Sequence, residues 1–236
     1  IFFQKYSQMS RSQQGLAGAG EWETLRKLLP DFKDKRVLDL GCGYGWHCIY
    51  AMEHGASSVV GVDISHKMLE VAKEKTHFPQ VEYKCCAIED VEFPEESFDV
   101  ILSSLAFHYV ADYEILVKKI YRILKSGGKL VFTVEHPVFT AYGTQDWYYN
   151  EKGEILHFPV DNYYYEGKRT AVFLGEKVTK FHRTLTTYLN TLLSNGFIIN
   201  HIVEPQPPEN MMDIPGMRDE MRRPMMLIVS ANKKVD

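Results

Sequence analysis

A strand-like run that ends in three closely spaced glycines limits the folds open to this chain more than any other feature. The run VLDLGCGYGW covers residues 37–46 and places glycines at Gly41, Gly43 and Gly45. Glycines let the backbone turn sharply and approach a ligand closely, and a helix that follows offers free N–H groups. Asp63 ends the next apolar run, where a carboxylate can accept hydrogen bonds from both hydroxyls of an adenosine ribose. The spacing predicts a nucleoside site on an α/β domain.

Strand-like and helix-like patterns alternate through the first 135 residues. This alternation, with short connections, is typical of a parallel sheet covered by helices on both faces. A later helix and two last strands are predicted at residues 179–194, 197–204 and 225–231. The earlier predicted strands are residues 36–40, 58–62, 81–85, 98–103 and 129–135, and the earlier predicted helices are residues 46–54, 67–75 and 113–124.

The glycine pattern differs from the fingerprint of dinucleotide-binding proteins. That fingerprint is G-x-G-x-x-G, and its third glycine allows close packing of helix and strand around a pyrophosphate. Trp46 stands at that third position, and the additional glycine is Gly45. The difference disfavours a pyrophosphate ligand, so an NAD(P)-dependent oxidoreductase is the weaker alternative.

Several ordered motifs resemble those of the class I S-adenosylmethionine-dependent methyltransferases, particularly the small-molecule enzymes. VLDLGCGYG is similar to their first motif, and GVDIS at residues 61–65 to their second. FDV at 98–100 through FHY at 107–109, with RILKSGGK at 122–129, resembles the fourth strand, its loop and the turn into the fifth. The resemblance covers roughly residues 36–135. It implies a doubly wound, Rossmann-like seven-stranded α/β sheet, mostly parallel with an antiparallel strand near the C-terminus.

The resemblance also implies the cofactor S-adenosylmethionine, with S-adenosylhomocysteine as product, and a set of residues around it. The glycines would face the methionine part, Asp63 the ribose, and the strand end at 103–105 the transferable methyl group. Many relatives carry an aspartate where Ala87 stands, so the adenine amino group would meet backbone or Glu89 here. The implied cofactor residues are Gly41, Cys42, Gly43, Gly45, Asp63, Ile64, Met68, Ala87, Ile88, Glu89, Ser103, Ser104 and Leu105.

The N-terminal stretch at residues 6–22 resembles the cap helix that closes over the cofactor in related small-molecule enzymes. Tyr6 and Arg11 could reach the cofactor carboxylate, the arginine through a two-pronged contact. An exposed N-terminal arm with a solvated Arg11 is the alternative.

Three histidines are candidates for the chemistry. Transfer from a sulfonium mainly requires in-line placement of the nucleophile, with removal of its proton where needed, and histidine is the simplest general base near pH 7. His108 lies in the loop after the fourth strand, His136 directly follows the fifth strand, and His182 is predicted to start the late helix. Loop packing for His108 and an ordinary helix start for His182 are the alternatives.

Aromatic residues are about twice as dense after the fifth strand as elsewhere. Residues 136–181 hold 11 of the 30 aromatics. We interpret residues 1–236 as one domain, with an N-terminal cap at 1–30 and an aromatic-rich lid insertion at 136–180 that shields the acceptor from water. A satellite core or a dimer face is the alternative interpretation.

Composition excludes several classes of protein. Lys plus Arg total 27 against 31 Asp plus Glu, a formal net charge of −4, which disfavours long nucleic acid as the main partner. No run approaches the roughly 20 apolar residues that span a bilayer. The four cysteines lack zinc spacing and disulfide density, which predicts a reducing cytoplasmic location and no metal.

These observations predict methyl transfer to an O, N or C atom of a small-molecule acceptor. A tRNA or protein methyltransferase remains an alternative, although the Asn/Asp-Pro-Pro-Tyr motif of base-amine enzymes is absent from the fourth-strand loop. A non-catalytic cofactor-binding module of the same fold is a second alternative. A homodimer is compatible with the sequence.

Overall fold

The computed structural model describes residues 2–235. Short 3-10 turns supplement the regular elements, the first at Gly15–Gly18. The helices are α1 (Phe2–Tyr6), α2 (Ser10–Gln14), α3 (Trp22–Arg26), α4 (Trp46–Glu53), α5 (His66–Lys75), α6 (Tyr113–Ile123), α7 (Pro137–Thr140) and α8 (Leu185–Ser194). The strands are β1 (Arg36–Leu40), β2 (Ser58–Asp63), β3 (Val81–Cys85), β4 (Phe98–Ser104), β5 (Leu124–Glu135), β6 (Tyr148–Tyr149), β7 (Ile155–His157), β8 (Gly167–Phe173), β9 (Glu176–His182), β10 (Phe197–Val203) and β11 (Met226–Lys233).

Seven strands form one sheet in the order β10-β11-β5-β4-β1-β2-β3. The strands from β5 through β3 pair in parallel, whereas β11 runs antiparallel to both β5 and β10. The predicted sheet is therefore confirmed, including its antiparallel strand near the C-terminus. Because the first five strands are parallel, their carboxyl ends share one edge, where open α/β sheets bind ligands.

Apolar side chains cover both faces of the sheet. Leu38 and Ile101 lie on one face with the buried stripe of α6, and Val37 and Val100 lie on the other with α3 and α4. The central strands are buried on both sides, as strands of a parallel sheet usually are. Full burial of one such side chain contributes about 1.5–3 kcal/mol, so the two layers fix the sheet firmly beneath its ligand-binding edge.

The N-terminal cap folds back onto α4. Trp22 and Leu25 of α3 are buried there, and the Trp22 ring meets that of Tyr50 edge-on at 4.8 Å. Gly15, before α3, sits so close to the Trp46 ring that a Cβ on it would lie 3.1 Å from the ring. The cap is therefore packed against the body of the domain and is not an exposed arm.

The segment between β5 and α8, residues 136–184, is called the insertion below. It contains α7 and two antiparallel hairpins, β6–β7 and β8–β9. The prediction of one helix across residues 179–194 is wrong for its first part. Residues 179–182 belong to β9, and the helix begins only after Thr184, whose hydroxyl accepts a hydrogen bond from the N–H of Thr187 at 3.1 Å.

The error has a physical reason in the residues of β9. Lys180 and His182 are the buried side chains of this strand, with exposed fractions of 2% and 0%. Polar residues at the inward positions remove the apolar alternation by which a strand is recognised in sequence. A smaller difference concerns β5, which begins at Leu124 instead of residue 129 because Leu124 already pairs with Phe98 of β4, ahead of an irregularity before Lys129.

Candidate active site

The glycine loop joins β1 to α4 at the carboxyl edge of the sheet. Gly41, Gly43 and Gly45 all have positive φ, at +80°, +53° and +74°. A Cβ on Gly45 would lie 2.1 Å from the Tyr83 hydroxyl, so packing as well as conformation requires glycine there. The nearest described atom to a Cβ on Gly43 would be the Tyr6 hydroxyl, at 3.9 Å. The middle of the loop therefore has open space above it.

Asp63, at the end of β2, ties the glycine loop to the next loop. Its Oδ2 accepts a hydrogen bond from the Gly43 N–H at 2.9 Å, and its Oδ1 accepts one from the Ser65 N–H at 2.8 Å. Burial raises the pKa of the carboxyl, although both bonds oppose the shift. The neighbouring Ile64 side chain is 74% exposed, whereas Met68 is buried behind it. A half-buried carboxylate thus lies beside an uncovered apolar surface.

Asp39 lies within β1, directly before the loop. The residue is fully buried, its Oδ2 accepts from the Cys48 thiol at 3.5 Å, and its Oδ1 has no hydrogen-bond partner in the described part of the chain. Burial is the main cause that raises the pKa of this carboxyl to about 7. Sequence reasoning missed Asp39, although a charged residue inside a buried strand was a usable signal.

The loop after β3 lies beside the glycine loop. Ile88 opens a 3-10 turn, and its Cδ1 would lie 3.5 Å from a Cβ on Gly41. Glu89 is exposed, and its carbonyl accepts from the Lys119 ammonium at 2.6 Å. Ile88 thus reaches the loop, whereas the Glu89 backbone is held away on the α6 side, and the half-buried Ala87 precedes them.

The end of β4 is fixed by hydrogen bonds to its two neighbours. The Ser103 hydroxyl donates to the Leu40 carbonyl at 2.7 Å, and the Ser104 hydroxyl lies 3.2 Å from that of Thr133. Leu105 follows with φ +53°, and its N–H donates to the Thr133 carbonyl at 2.9 Å. The left-handed conformation costs a leucine roughly 1–2 kcal/mol, and such strain concentrates at ligand sites.

Two residues of the cap, Tyr6 and Arg11, lie over this edge. The Tyr6 ring meets the Tyr44 ring edge-on at 5.7 Å. Arg11 forms an ion pair with Glu21 through Nη2, and its Nη1 lies 3.5 Å from the Ser104 hydroxyl. Burial raises the pKa of the Tyr6 phenol; the nearby Arg11 opposes this shift, and Asp63 adds to it. Both side chains therefore lie close to the glycine loop.

His108 lies in the loop after β4 and is 1% exposed. Its Nδ1 accepts a long hydrogen bond, 3.4 Å, from the Glu135 N–H. Burial lowers the pKa of the ring to about 4; Glu135 opposes the shift, and Lys180 and Arg183 reinforce it. At neutral pH the ring is therefore uncharged, with its proton on Nε2.

A buried ionic cluster next to His108 was not predicted. Lys180 of β9 donates to Glu135 Oε1 at 2.5 Å and to Gln145 Oε1 at 2.7 Å, and the Gln145 amide donates to Glu135 Oε2 at 2.6 Å. The ammonium also lies 5.9 Å from the centre of the Tyr109 ring. Burial alone would raise the pKa of Glu135, but His108 and these partners hold it below its ordinary value. The cluster anchors the insertion to the end of β5.

The other two candidate histidines are engaged in polar contacts within the fold. His136 Nδ1 accepts from the Val138 N–H at 3.0 Å, and its Nε2 lies 2.8 Å from Glu204 Oε1. His182 is fully buried, with Nδ1 2.7 Å from the Thr140 hydroxyl and Nε2 2.8 Å from the Tyr163 carbonyl. Because that carbonyl can only accept, His182 carries its proton on Nε2. Both nitrogens of His182 are therefore occupied.

The cap and the insertion meet above the site. The Lys5 ammonium donates to the Leu174 carbonyl, at the tip of the β8–β9 hairpin, at 2.9 Å. Leu174 and Gly175 both have positive φ, +54° and +78°. A Cβ on Gly175 would lie 2.7 Å from the same ammonium. Two segments far apart in sequence thus touch over the carboxyl edge of the sheet.

Two further features that the described residues could contain are a metal-binding cluster and a membrane-spanning helix. Within residues 2–235, no cluster of three or more His, Cys, Asp or Glu side chains is arranged to hold a metal ion. Over the same range, no helix combines the length and apolar character needed to cross a bilayer.

Comparison with known proteins identifies the family. A family model described as a methyltransferase domain matches residues 38–132. The crystal structure of an S-adenosylmethionine-dependent methyltransferase from Mesorhizobium loti is 40% identical, covers 93% of this chain and 100% of that chain, and has a TM-score of 0.86. The chain belongs to the S-adenosylmethionine-dependent methyltransferases. The predicted family, enzyme class and cofactor are confirmed.

Two further relatives of this methyltransferase differ in how much they share. A Listeria monocytogenes protein, provisionally assigned to the same family, is 57% identical over 93% of this chain and 99% of that chain, with a TM-score of 0.89. A ubiquinone biosynthesis O-methyltransferase of Coxiella burnetii is 36% identical over 112 residues, and the match spans 47% of each chain. The relatives that match over the whole length therefore support the use of S-adenosylmethionine. The relative that is named for its acceptor matches over only about half of this chain.

Proposed function

We propose that this methyltransferase acts on an O, N or C atom of a small molecule held between the end of β4 and the insertion. The contact between Lys5 and Leu174 carries the proposal, because it joins the cap to the insertion over the carboxyl edge. An enclosed space excludes water and admits a small acceptor more readily than a polymer. The Coxiella relative, named for O-methyl transfer in ubiquinone biosynthesis, supports a small acceptor.

The residues at the glycine loop fit S-adenosylmethionine. The space over Gly43 is open, Asp39 Oδ1 is buried without a described partner, and the uncovered Ile64 adjoins Asp63. We assign the ribose hydroxyls to Asp63, the adenine face to Ile64, Met68 and Ile88, and the methionine part to the loop. When bound, the cofactor supplies a methyl group already activated as a sulfonium.

His108 orients the acceptor in this proposal. Its Nδ1 lone pair is used by the Glu135 N–H, so the neutral ring offers Nε2–H as a donor and is not poised as a base. Burial, with smaller effects of Glu135 and Tyr6, raises the pKa of Tyr109, which keeps this phenol protonated beside it. The acceptor is then held through its own lone pairs. Of the three candidate histidines, the proposal uses His108 and neither His136 nor His182.

An acceptor screen tests the reaction. Purified protein is incubated with S-adenosylmethionine carrying a labelled methyl group and with small-molecule, RNA and protein fractions of a cell extract. We expect label in the small-molecule fraction and stoichiometric S-adenosylhomocysteine. Label in RNA or protein alone would contradict the enclosed site. The assay is run under reducing conditions, since all four cysteines are free thiols and we place the enzyme in the cytoplasm.

Substitution of His108 tests its role once an acceptor is known. His108→Ala is expected to lower turnover about 10- to 100-fold, because a positioned hydrogen bond in the site is lost, while affinity for S-adenosylhomocysteine is unchanged. His201→Ala, on the exposed part of β10, is the matched control. Wild-type turnover in His108→Ala would make the ring a packing residue.

A further inference from the structure

Buried polar atoms without partners gather around the cap and the glycine loop. A buried donor or acceptor left unpaired costs about 1–3 kcal/mol, so native proteins hold few of them and a local group of them calls for an explanation. A polar ligand that binds there would satisfy such atoms. Five of these atoms in residues 2–235 are Ser12 Oγ, Glu21 Oε2, Asp39 Oδ1, Trp46 Nε1 and His47 Nε2.

Glu21 is the charged member of this group that belongs to the cap. Glu21 is 2% exposed, and its backbone carbonyl accepts a hydrogen bond from the Leu25 N–H at 2.8 Å at the start of α3. One carboxylate oxygen, Oε1, pairs with the Arg11 guanidinium. The other, Oε2, has no hydrogen-bond partner among the described residues. Half of a buried carboxylate is thus left to accept from a donor or a cation.

Arg11 directs this ion pair toward the cofactor site. Its second branch, Nη1, makes a long 3.5 Å contact to Ser104 at the carboxyl end of β4. Tyr6, whose hydroxyl faces the open side of Gly43, lies close to Arg11: burial lowers the pKa of the guanidinium, and Tyr6 opposes that shift. The ion pair therefore lies at the rim of the space over the glycine loop. Arg11 makes only a long contact through Nη1, and Glu21 Oε2 has no described partner.

We propose that Arg11 and Glu21 together bind the amino-acid end of S-adenosylmethionine, Arg11 at its carboxylate and Glu21 Oε2 at its ammonium group. That end is a zwitterion, and a guanidinium beside a carboxylate presents the complementary pair of charges. A lone arginine would leave the ammonium unmatched, whereas the pair matches both charges without adding net charge to a buried site. The inference rests on the cofactor placement proposed above and adds Glu21 to it.

Calorimetric titration with two ligands separates the amino-acid end from the nucleoside. The probes are S-adenosylhomocysteine and 5′-methylthioadenosine, which keeps the adenosine and the thioether but lacks the amino-acid end. In Glu21→Gln we expect affinity for S-adenosylhomocysteine to fall roughly 10- to 150-fold, because a charged hydrogen bond is lost. Affinity for 5′-methylthioadenosine should stay unchanged, which also shows that the variant is folded. Glu23→Gln, an exposed neighbour paired with Arg26, is the matched control.

The pattern across variants decides the outcome. Equal loss of both ligands in Glu21→Gln, or no loss of either, would overturn the role of Glu21. Asp63→Ala should weaken both ligands alike, since both carry the ribose, and no effect there would instead overturn the cofactor placement. Arg11→Gln should reproduce the selective loss. The double variant Arg11→Gln/Glu21→Gln tests whether the two residues act as one unit, in which case the losses are not additive.

Discussion

The sheet with its glycine loop and the insertion achieve order by different means. In the sheet, apolar strands such as β1 and β4 are buried on both faces, and the glycines satisfy local backbone requirements. In the insertion, single polar side chains bind backbone carbonyls outside their own strand. Arg169, for example, donates to the carbonyls of Ala141, Asn162 and Tyr165. Order in the sheet thus follows from repeated patterns, and order in the insertion from a few specific pairs.

Removal of the buried lysine should produce the largest effect. Lys180→Met leaves the Glu135 carboxylate buried without its cation, and loss of one partner of a buried pair costs about 3–5 kcal/mol. Urea denaturation measures the loss, and limited proteolysis shows whether the β8–β9 hairpin opens first. Lys177→Met, exposed on the same strand, is the control. A loss below about 1 kcal/mol would mean that the insertion is held by apolar packing, as the sheet is.

Substitution of one glycine in each region compares the stability of the two regions directly. Gly45→Ala should cost about 2–4 kcal/mol, because its φ is +74° and the new Cβ would meet the Tyr83 hydroxyl at 2.1 Å. Gly153→Ala, in the β6–β7 hairpin, has a similar φ of +78° but no described atom within 4 Å of the new Cβ. Its cost should be only about 1–2 kcal/mol. If the two variants lose equal stability in thermal unfolding, the contact with Tyr83 does not contribute to the cost at Gly45.

The dependence of stability on pH tests His108, which lies where the sheet meets the insertion. The pKa of His108 is about 4 in the folded protein, below the ordinary value of about 6.5. The folded ring is neutral while the unfolded chain binds a proton, so this stability is complete above pH 6.5 and is lost as pH falls toward 4. The slope from one histidine is about 1.4 kcal/mol per pH unit.

Other buried groups also act in this pH window, so the measurement is a difference between variants. Burial lowers the pKa of His47 to about 3, which adds to the loss, whereas the pKa of Asp39, about 7, acts in the opposite direction. Relative to wild type, His108→Gln should show a smaller slope between pH 6.5 and 4, by about 1.4 kcal/mol per unit. His201→Gln should leave the slope unchanged. An unchanged slope in His108→Gln would mean that this ring is not held neutral.

The hairpin tip should give the smallest effect, and a gain. Leu174 occupies the first central position of a turn with two positive φ values, where asparagine is favoured. Leu174→Asn should stabilise the protein by about 0.5–1 kcal/mol in urea denaturation. Leu193→Asn, exposed on α8, should destabilise it instead, because asparagine is a poorer helix former than leucine. A loss in Leu174→Asn would mean that the leucine side chain contributes packing that outweighs the backbone strain.

The difference between the sheet and the insertion also explains which parts of the fold could be predicted from the sequence. The seven strands, the glycine loop and the position of Asp63 follow from short apolar runs and from spacing, and the structure shows them where expected. The helix predicted across residues 179–194 failed because Lys180 and His182 face inward in β9. Their partners stand at Glu135 and Thr140, and no local pattern encodes such distant pairing.

The candidate site divides in the same way. His108 is predicted as a candidate because its loop follows a recognisable strand, but Glu135 and Lys180 beside it were not predicted. Arg11 is predicted by resemblance, whereas Glu21, its buried partner, has the sequence context of an ordinary first turn of a helix. A charged residue becomes informative only when its burial is known, and burial is a property of the whole fold.

The contact between Lys5 and Leu174 joins residues 169 positions apart. During synthesis the cap leaves the ribosome before the hairpin tip, its partner, which is made 169 residues later. The contact between cap and hairpin is therefore among the last features to form, and in a chain not yet folded it would close a very long loop at an entropic cost. A nascent chain that ends before the β8–β9 hairpin would complete the glycine loop and still leave it open to water.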